Sequence, residues 1–238
     1  MNILTLLYNE ILFRPLFNGL IFLYNVIPGH DFGVAIIVLT VIIRFILYPL
    51  NQRAIKSQKE MQAIQPKVKE VQQKFKNDRG KQGQALMQLY KEHKINPASG
   101  CLPLLVQFPL LIALLSVFRN GLNPNKLSEL YRFVARPDVL NSMFLGFIDL
   151  SKANIYLAIL AGVAQFIQSK MIAPKTNASG GQDFASAMNK QMLYIFPALT
   201  VFIAASLPAG LGIYWIAMTV FGIVQQYFVL KKKNGQPS

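Results

Sequence analysis

The stretch that decides the fold is FGVAIIVLTVIIRFILYPL, Phe32 to Leu50, in which one arginine, Arg44, interrupts an apolar run. About 20 apolar residues cross the hydrocarbon core of a bilayer, so the run predicts a transmembrane helix. A charge there costs about 2.5–3.5 kcal/mol, and each Ile, Leu, Val or Phe around it returns about 0.3–0.6 kcal/mol. Two interpretations stay open: Arg44 is a functional charge, or it snorkels to the membrane surface near Leu50, about 9 Å along the helix.

The composition extends this prediction to the whole chain. Of its 238 residues 53% are hydrophobic and 14% are charged, against about 45–50% and 25% in a soluble protein. The apolar residues lie in long runs, so we expect an all-α polytopic membrane protein with five transmembrane helices. The expected spans are 32–50, about 100–118, about 153–173, about 191–207 and about 210–230. The last four form a core at 97–230, with loops at 120–152 and 174–189.

The N-terminal segment, residues 1–31, has a different character. Glu10, Arg14 and Asn18 are spaced by four, so on a helix they form one polar stripe. Such a stripe is typical of an amphipathic helix that lies in the membrane interface. A cleaved signal peptide and a true membrane span are the alternatives.

The segment 51–96 is strongly basic, with eleven Lys and Arg residues against four Asp and Glu. Apolar residues recur within it at intervals of three and four, which predicts a narrow helical seam. The positions are Met61, Ile64, Val68, Val71 and Phe75 on a first arm and Leu86, Leu89 and His93 on a second. We therefore expect a helical hairpin packed on itself outside the membrane, with its first arm kinked or restarted at Pro66.

The basic residues also predict the orientation. With five spans, the hairpin, the 174–189 loop and the basic tail at 231–238 fall on one side of the membrane, and the positive-inside rule makes that side the cytoplasm. The N-terminus and the 120–152 loop then face outward. The net charge of +14 therefore marks cytoplasmic segments, and we expect no DNA partner.

The sequence contains no phosphate-binding glycine loop, no HExxH and no GxSxG motif, and no nucleophile–base pair can be proposed. We therefore expect neither an enzyme nor a cofactor or metal. The spans do carry sparse polar residues, and Arg44, Gln107 and Thr219 are expected to line a water-accessible cavity. The five spans contain no Asp or Glu, although proton relays and cation sites normally need carboxylates.

Four ordered stretches resemble the YidC/Oxa/Alb family of membrane protein insertases, in its short bacterial form without a large periplasmic domain. They are Arg44 with Tyr48-Pro49-Leu50 and the hairpin's Lys59-Glu60-Met61 and Gln65-Pro66-Lys67; Asn96-Pro97 with Gly100-Cys101-Leu102-Pro103 and Gln107-Phe108-Pro109; Gln168-Ser169-Lys170-Met171; and Leu207-Pro208-Ala209-Gly210-Leu211 with Tyr214-Trp215 and Gln225-Gln226. Family members often have asparagine where Thr219 stands.

The resemblance implies a groove open to the cytoplasm and to lipid, closed on the outside, in a multi-pass protein of the bacterial inner membrane. The expected groove residues are Arg44, Gln107, Gln168, Trp215 and Thr219. Nascent membrane proteins would be its clients. Further expected partners are the ribosome and anionic lipids, both met through hairpin lysines, and the Sec translocon. The lysines singled out for these contacts are Lys59, Lys67, Lys69, Lys74 and Lys76.

Two other functions stay open at this point. The first is a small-solute transporter or anion channel in which Arg44 is the selectivity charge. Transporters typically contain paired repeats of their spans, and none is visible in this sequence. The second is a structural scaffold whose basic hairpin binds anionic lipid or RNA.

Overall fold

A computed structural model of the chain describes residues 3–96, 102–120, 129–137, 140–173 and 191–233. Short π-helical segments at Asn9–Phe13 and Gln191–Ile195 lead into two of its helices. The α-helices are α1 (Ile3–Tyr8), α2 (Arg14–Val26), α3 (Phe32–Ile46), α4 (Tyr48–Ala63), α5 (Gln65–Lys74), α6 (Arg79–Glu92), α7 (Leu102–Asn120), α8 (Ile155–Ile172), α9 (Phe196–Ser206) and α10 (Ala209–Lys233). Two short strands, β1 (Met143–Phe144) and β2 (Ile148–Asp149), pair antiparallel.

The apolar helices pack side by side into one bundle with two distinct ends. Helix α8 packs on α9 and α10, α10 packs on α3, and α3 packs on α2. Helices α3, α8 and α10 all begin at one end, which also carries the 129–152 segment and is called the loop end. They finish at the opposite end, from which α4–α6 project, and this is called the hairpin end. The contact between α8 and α9 is close, because a Cβ on Gly162 would lie 2.2 Å from Val201 Cγ2.

The main core lies toward the loop end and joins α2, α3, α7 and α10. Its fully buried side chains include Phe17, Ile36, Leu114 and Tyr214. Lipid tails are as apolar as these side chains, so van der Waals packing between the helices holds this core together. The N-terminal helix is therefore tied to the bundle through its own large apolar residues.

Three helices of the described residues are long and apolar enough to cross a membrane, Leu6–Val26, Ile155–Ile172 and Ala209–Lys231. The pair α3 and α4 meets the same criterion when its two helices are taken together, and Gln107–Val117 and Leu193–Ser206 are apolar but shorter. The chain is thus a multi-pass, mostly helical membrane protein. The N-terminal helix has the length and hydropathy of a span, so its interfacial placement stays a prediction, as does the count of five spans.

The helix that begins at Phe32 does not run straight to Leu50, and the span bounds 32–50 stay a prediction. Helix α3 ends at Ile46, and α4 starts at Tyr48 after a bend of 68°. The physical reason is Pro49 in the first turn of α4. It has no N–H to donate to the carbonyl of Phe45 in α3, and in a continuous helix its ring would clash with that carbonyl. The hairpin's first helix consequently begins before Asn51.

Helices α4–α6 occupy the segment of the predicted hairpin, whose place outside the membrane stays a prediction. Pro66 stands in the first turn of α5, so the first arm restarts there. Asp78 caps α6, its carboxylate accepting from the Lys81 amide. A second, separate core holds the two arms together along the predicted seam and is formed by Ile64, Val68, Leu89 and Ile95. Residues 97–101, 121–128, 138–139, 174–190 and 234–238, which include the predicted 174–189 loop and most of the tail, lie outside the described residues.

Candidate functional site

Arg44 on α3 has an electrostatic neighbour on α10, the phenol of Tyr214. On α10, Gln225 contacts the carbonyl of Tyr48 at the hairpin end, and Tyr214 lies eleven residues earlier, about 16 Å closer to the loop end. Arg44 lies only four residues, about 6 Å, before Tyr48, yet its guanidinium interacts electrostatically with the Tyr214 phenol. Helical side chains lean toward the N-terminus of their helix, which for α3 is the loop end, and Tyr214 lies in that direction. Snorkelling to the hairpin end stays the alternative interpretation of Arg44.

Tyr214 joins Arg44 to a second predicted groove residue. Its ring is buried, and its hydroxyl accepts a hydrogen bond from Gln107 Nε2 on α7. Helices α3, α7 and α10 thus each supply one side chain to a polar cluster, Arg44–Tyr214–Gln107. Among the described residues no carboxylate acts on the Arg44 charge, and its electrostatic neighbour there is Tyr214. The cluster is a positive charge held among neutral polar groups.

The other predicted groove residues lie outside this cluster. Trp215 is half-buried against the main core. Thr219 is fully buried, and its hydroxyl has no hydrogen-bond partner among the described residues. Gln168 on α8 packs against Gly222 of α10, where a Cβ would lie 2.3 Å from its Nε2. Gly222 is eight residues beyond Tyr214, about 12 Å closer to the hairpin end, so Gln168 belongs to a different layer.

Sequence reasoning did not select Tyr214. A buried tyrosine hydroxyl usually needs a hydrogen-bond partner, so a tyrosine inside an apolar span is itself a signal of a polar neighbour. That signal was available in the sequence, because Tyr214 lies in the span about 210–230 that also carries Thr219.

The hairpin end contains a polar layer of its own. Gln225 Nε2 donates to the Tyr48 carbonyl at 3.0 Å, which ties the end of the bundle to the bend between α3 and α4. Asn51 Nδ2 and Gln226 Oε1 are also buried there, and neither has a hydrogen-bond partner within the described parts of the chain. Buried polar groups without protein partners are usually met by water.

The loop end is closed by side chains that bind the backbone of the 129–152 segment. Asn18 is buried; its Nδ2 donates to the Glu129 carbonyl at 3.2 Å, and its Oδ1 accepts from the Tyr131 amide at 2.6 Å. The polar stripe of the N-terminal helix therefore meets protein at Asn18. Arg14, one turn earlier, bridges Glu10 at 2.8 Å and lies over the Tyr131 ring.

Further along the same segment, three more residues before α3 or at its start hold the loop. Asn25 donates to the Ala135 carbonyl, the Tyr24 hydroxyl accepts from the Asn141 amide, and Asp31 accepts from the Leu145 amide. The β1–β2 ladder, which sequence reasoning missed, lies over the start of α3 with Phe144 against Gly33.

The hairpin lysines are mostly exposed, and Lys67 is bonded to His93 inside the hairpin. Lys67 Nζ lies 2.9 Å from His93 Nε2, while His93 Nδ1 lies 2.9 Å from the Leu89 carbonyl. An ammonium only donates, so His93 accepts at Nε2 and donates from Nδ1. Lys74 and Lys76 are exposed, whereas Lys59 and Lys69 are half-buried.

A family model described as "60Kd inner membrane protein" matches residues 22–236 of this chain. The chain is also 36% identical over 215 residues to the membrane protein insertase YidC of Fusobacterium nucleatum subsp. nucleatum, across 90% of this chain and 94% of that relative. The chain belongs to the YidC/Oxa/Alb family of membrane protein insertases. This family is non-enzymatic, and the membership confirms the resemblance seen in the sequence.

Longer YidC proteins match as well. The chain is 34% identical over 221 residues to the insertase of Geobacter metallireducens and 37% identical over 220 residues to that of Syntrophus aciditrophicus. It spans about 36% of the length of each and 92% of its own. The YidC relatives and the apolar helices together make this chain a multi-pass protein of the bacterial inner membrane.

Proposed function

We propose that this chain inserts newly made membrane proteins and helps them fold, through a polar groove whose charged member is Arg44. The observation that carries the proposal is the Arg44 guanidinium in an apolar helix, with the neutral phenol of Tyr214 as its electrostatic neighbour and no carboxylate acting on it among the described residues. Its charge is therefore available to acidic groups on a client. In a medium of low dielectric constant that attraction is much stronger than in water.

The physical task is to carry a hydrophilic tail across hydrocarbon, which requires costly desolvation of its polar groups. A wet groove that reaches partway through the membrane shortens the dry distance. The client's apolar segment then moves into lipid, favoured by about 25 cal/mol per Å² of apolar surface buried. A membrane potential assists acidic tails by about 2.3 kcal/mol per charge per 100 mV, so no nucleotide is needed.

The orientation belongs to the same proposal. Five spans with the N-terminus outside place the basic hairpin and the Lys231–Lys233 tail in the cytoplasm, as the positive-inside rule favours. The groove then opens at the hairpin end, where Asn51 and Gln226 supply buried polar groups. The loop end, bound through Asn18, is the outer closure.

Partners follow from the exposed charges. The hairpin is the proposed contact for ribosomes that carry a nascent chain, through Lys69, Lys74 and Lys76. Anionic lipids are the second proposed partner of the basic surface, since each Lys or Arg near an anionic leaflet contributes about 1 kcal/mol. Independent action and action beside the Sec translocon are both compatible with this proposal.

The test is insertion of a small single-span client with an acidic tail into liposomes that contain the purified protein. We expect Arg44→Ala to lower insertion about tenfold, equivalent to about 1.4 kcal/mol, and Arg44→Lys to retain most of it. A client with a neutral tail serves as the control and should respond less to Arg44→Ala. Equal insertion by the wild type and empty liposomes would contradict the proposal.

Crosslinking gives an independent readout of the groove. A photoreactive residue at position 44 should capture a stalled nascent membrane protein, whereas one at the exposed position of Ile42 on α3 should capture mainly lipid. Anion flux through the same vesicles, lost in Arg44→Ala without any effect on insertion, would favour the channel. The relatives, all insertases by name, do not favour that alternative.

A further inference from the structure

Two large apolar side chains at the loop end are left uncovered by the fold. They flank the turn that joins β1 to β2, where Leu145 is 58% exposed and Phe147 is 70% exposed. Phe144, just before the turn, instead packs its ring against Gly33 of α3. The ladder thus rests on the bundle through one aromatic ring and carries an apolar tip, Leu145 and Phe147, whose surface is mostly open.

The depth of the ladder in the membrane follows from the helices that begin beside it. The candidate span Ile155–Ile172 has 18 residues and is about 27 Å long, which nearly matches a hydrocarbon core of about 30 Å. Its first residue therefore lies at the boundary between hydrocarbon and headgroups. Tyr156, in its first turn, is 80% exposed, and tyrosine is enriched at this boundary. The Lys152 carbonyl, just before α8, accepts from the Ala209 amide at 2.8 Å, so α10 begins at the same level.

Hydrogen bonds hold the ladder at that level. The Asp31 carboxylate, which caps α3, accepts from the Leu145 amide at 2.6 Å. The Leu150 carbonyl, directly after β2, accepts from the Gly210 amide in the first turn of α10 at 3.1 Å. The tip therefore lies where the exposed surface of the apolar helices begins.

The backbone of the turn suits an apolar environment. The Phe147 amide donates to the Phe144 carbonyl at 3.2 Å, and the Leu145 amide donates to Asp31. Backbone groups without partners are costly in hydrocarbon. Because these two amides are bonded within the protein, the tip can meet lipid without leaving them unpaired.

The turn also carries a residue that its backbone does not favour. Leu145 has a φ of 51° and Gly146 has a φ of 80°, and positive values at both central residues are typical of a type I′ turn. Glycine and asparagine adopt such values readily, whereas leucine is disfavoured there. A disfavoured residue suggests a role beyond the turn itself, and here its side chain is one of the two that are exposed.

We propose that the tip, Leu145 and Phe147, inserts into the membrane leaflet at the loop end and contacts acyl chains just below the headgroups. The occupant of this surface is lipid, because the tip lies at the depth of the headgroup boundary and adjoins the exposed surface of the spans. Insertion fixes the depth of the ladder, and with it the cover over the start of α3. This contact is separate from Arg44 and requires no client.

The test measures the depth of the tip in the full-length protein in nanodiscs, where water and lipid reach both faces of the membrane. Trp215→Phe removes the single native tryptophan, and Phe147→Trp then places an indole at the tip. We expect lipids brominated at different acyl positions to locate this indole about 5–10 Å into the boundary between headgroups and acyl chains. Met87→Trp in the same background is the matched control, because Met87 is also exposed, at 51%, but lies on α6 of the hairpin.

Iodide in the aqueous phase should quench the control indole more strongly than the indole at the tip. A Phe147→Trp variant that iodide quenches and brominated lipid does not would overturn the proposal. An indole that neither quencher reaches would mean that protein covers the tip, such as a second copy of the chain, and would overturn it as well.

Leu145→Asn separates lipid contact from folding. Asparagine tolerates positive φ better than leucine, so we expect the unfolding midpoint in micelles to stay equal or rise. Quenching of the Phe147→Trp variant by brominated lipid should nevertheless decrease. Unchanged quenching would contradict insertion of Leu145, and a lower midpoint would assign it a role within the fold instead. These measurements use no client, so a failure here is distinguishable from a failure of insertion.

Discussion

The two ends of the helix bundle are held by different kinds of contact. At the loop end, Asn18, Asn25, Tyr24 and Asp31 each form a hydrogen bond with the backbone of the 129–152 segment. At the hairpin end, Gln225 forms one such bond with the carbonyl of Tyr48. At the same end, the buried donor Asn51 Nδ2 and the buried acceptor Gln226 Oε1 have no hydrogen-bond partner among the described residues.

The difference indicates which end opens more easily. Side-chain bonds to backbone fix one register, and breaking them leaves donors and acceptors that cost about 1–3 kcal/mol each when buried. Polar groups that already lack partners lose no hydrogen bond when the chain moves, and they form new hydrogen bonds when water or a polar chain reaches them. The contrast supports the proposal that the loop end is the closed end of the groove and that the hairpin end admits polar groups.

The largest effect on this contrast is expected from Asn18→Leu. The substitution deprives the Glu129 carbonyl and the Tyr131 amide of their partner, so we expect a loss of about 2–4 kcal/mol in unfolding free energy. Thermal or denaturant unfolding in micelles measures it. Asn25→Leu, which removes a single exposed bond, is the control and should lose about 1 kcal/mol or less. Similar losses in both variants would refute a special closure at Asn18.

Gly33→Ala tests the packing of the same closure. A Cβ at this position would lie 2.1 Å from Phe144 Cδ2 and 2.8 Å from Phe144 Cβ, so the β1–β2 ladder must shift, at about 1–3 kcal/mol. Gly19→Ala is the matched control, because its nearest contact would be 3.5 Å from Leu39 Cδ1. The control should be neutral or stabilising, since alanine favours helix over glycine by about 1 kcal/mol. Unfolding midpoints of the two variants measure the difference.

Gln225→Leu should change the free energy of unfolding less and should mainly increase the motion of the hairpin relative to the bundle. It removes one hydrogen bond, worth about 0.5–1.5 kcal/mol, and releases the bend at Tyr48. Spin labels on α5 and on the loop end should show a broader distance distribution than in the wild type. Asn25→Leu should leave that distribution unchanged, because its bond lies at the other end. A narrow distribution in Gln225→Leu would mean that the bend is fixed by other contacts.

The smallest expected effect is at Asp149. Hydrogen bonds from Ser151, together with those from Lys152 and Ser142, lower the pKa of its carboxyl to about 2, below the ordinary value of about 3.9. The folded state therefore prefers the ionised form, and this stabilisation is complete above pH 4 and is lost as the pH falls toward 2. The unfolding midpoint of Asp149→Asn should differ from that of the wild type above pH 4 and approach it near pH 2. A difference that is constant with pH would contradict this assignment.

Regular patterns explain what the sequence predicted well. The seam of Ile64, Val68 and Leu89 follows helical spacing, and the two residues joining α9 and α10, Leu207 and Pro208, leave no room for a loop. Both features are local, so periodicity and proline chemistry are sufficient to find them. The bend at Leu47 is also local, and Pro49 indicates it. The apolar residues themselves continue past the bend to Leu50, so the apolar run alone does not show where the helix ends.

The features that escaped prediction depend on contacts between distant residues. Leu145 adopts a positive φ of 51° in the turn between β1 and β2, where an asparagine or glycine is the usual signal. The position of Gln168 along the bundle depends on how far α7, α8 and α10 are shifted along one another. So does the hydrogen bond between Gln107 and Tyr214. Hydrophobic periodicity defines a helix face, but it does not define that shift, so the polar cluster was predicted only in part.

The bend at Leu47 makes α4 a lever. The helix has 16 residues and is therefore about 24 Å long. A rotation of about 10° at the bend would displace its far end by about 4 Å, which is close to the rise of three helical residues. A small rotation around Tyr48 thus produces a large displacement at the tip of the hairpin. In the same way, a force on the tip exerts a torque on the bend through the length of α4.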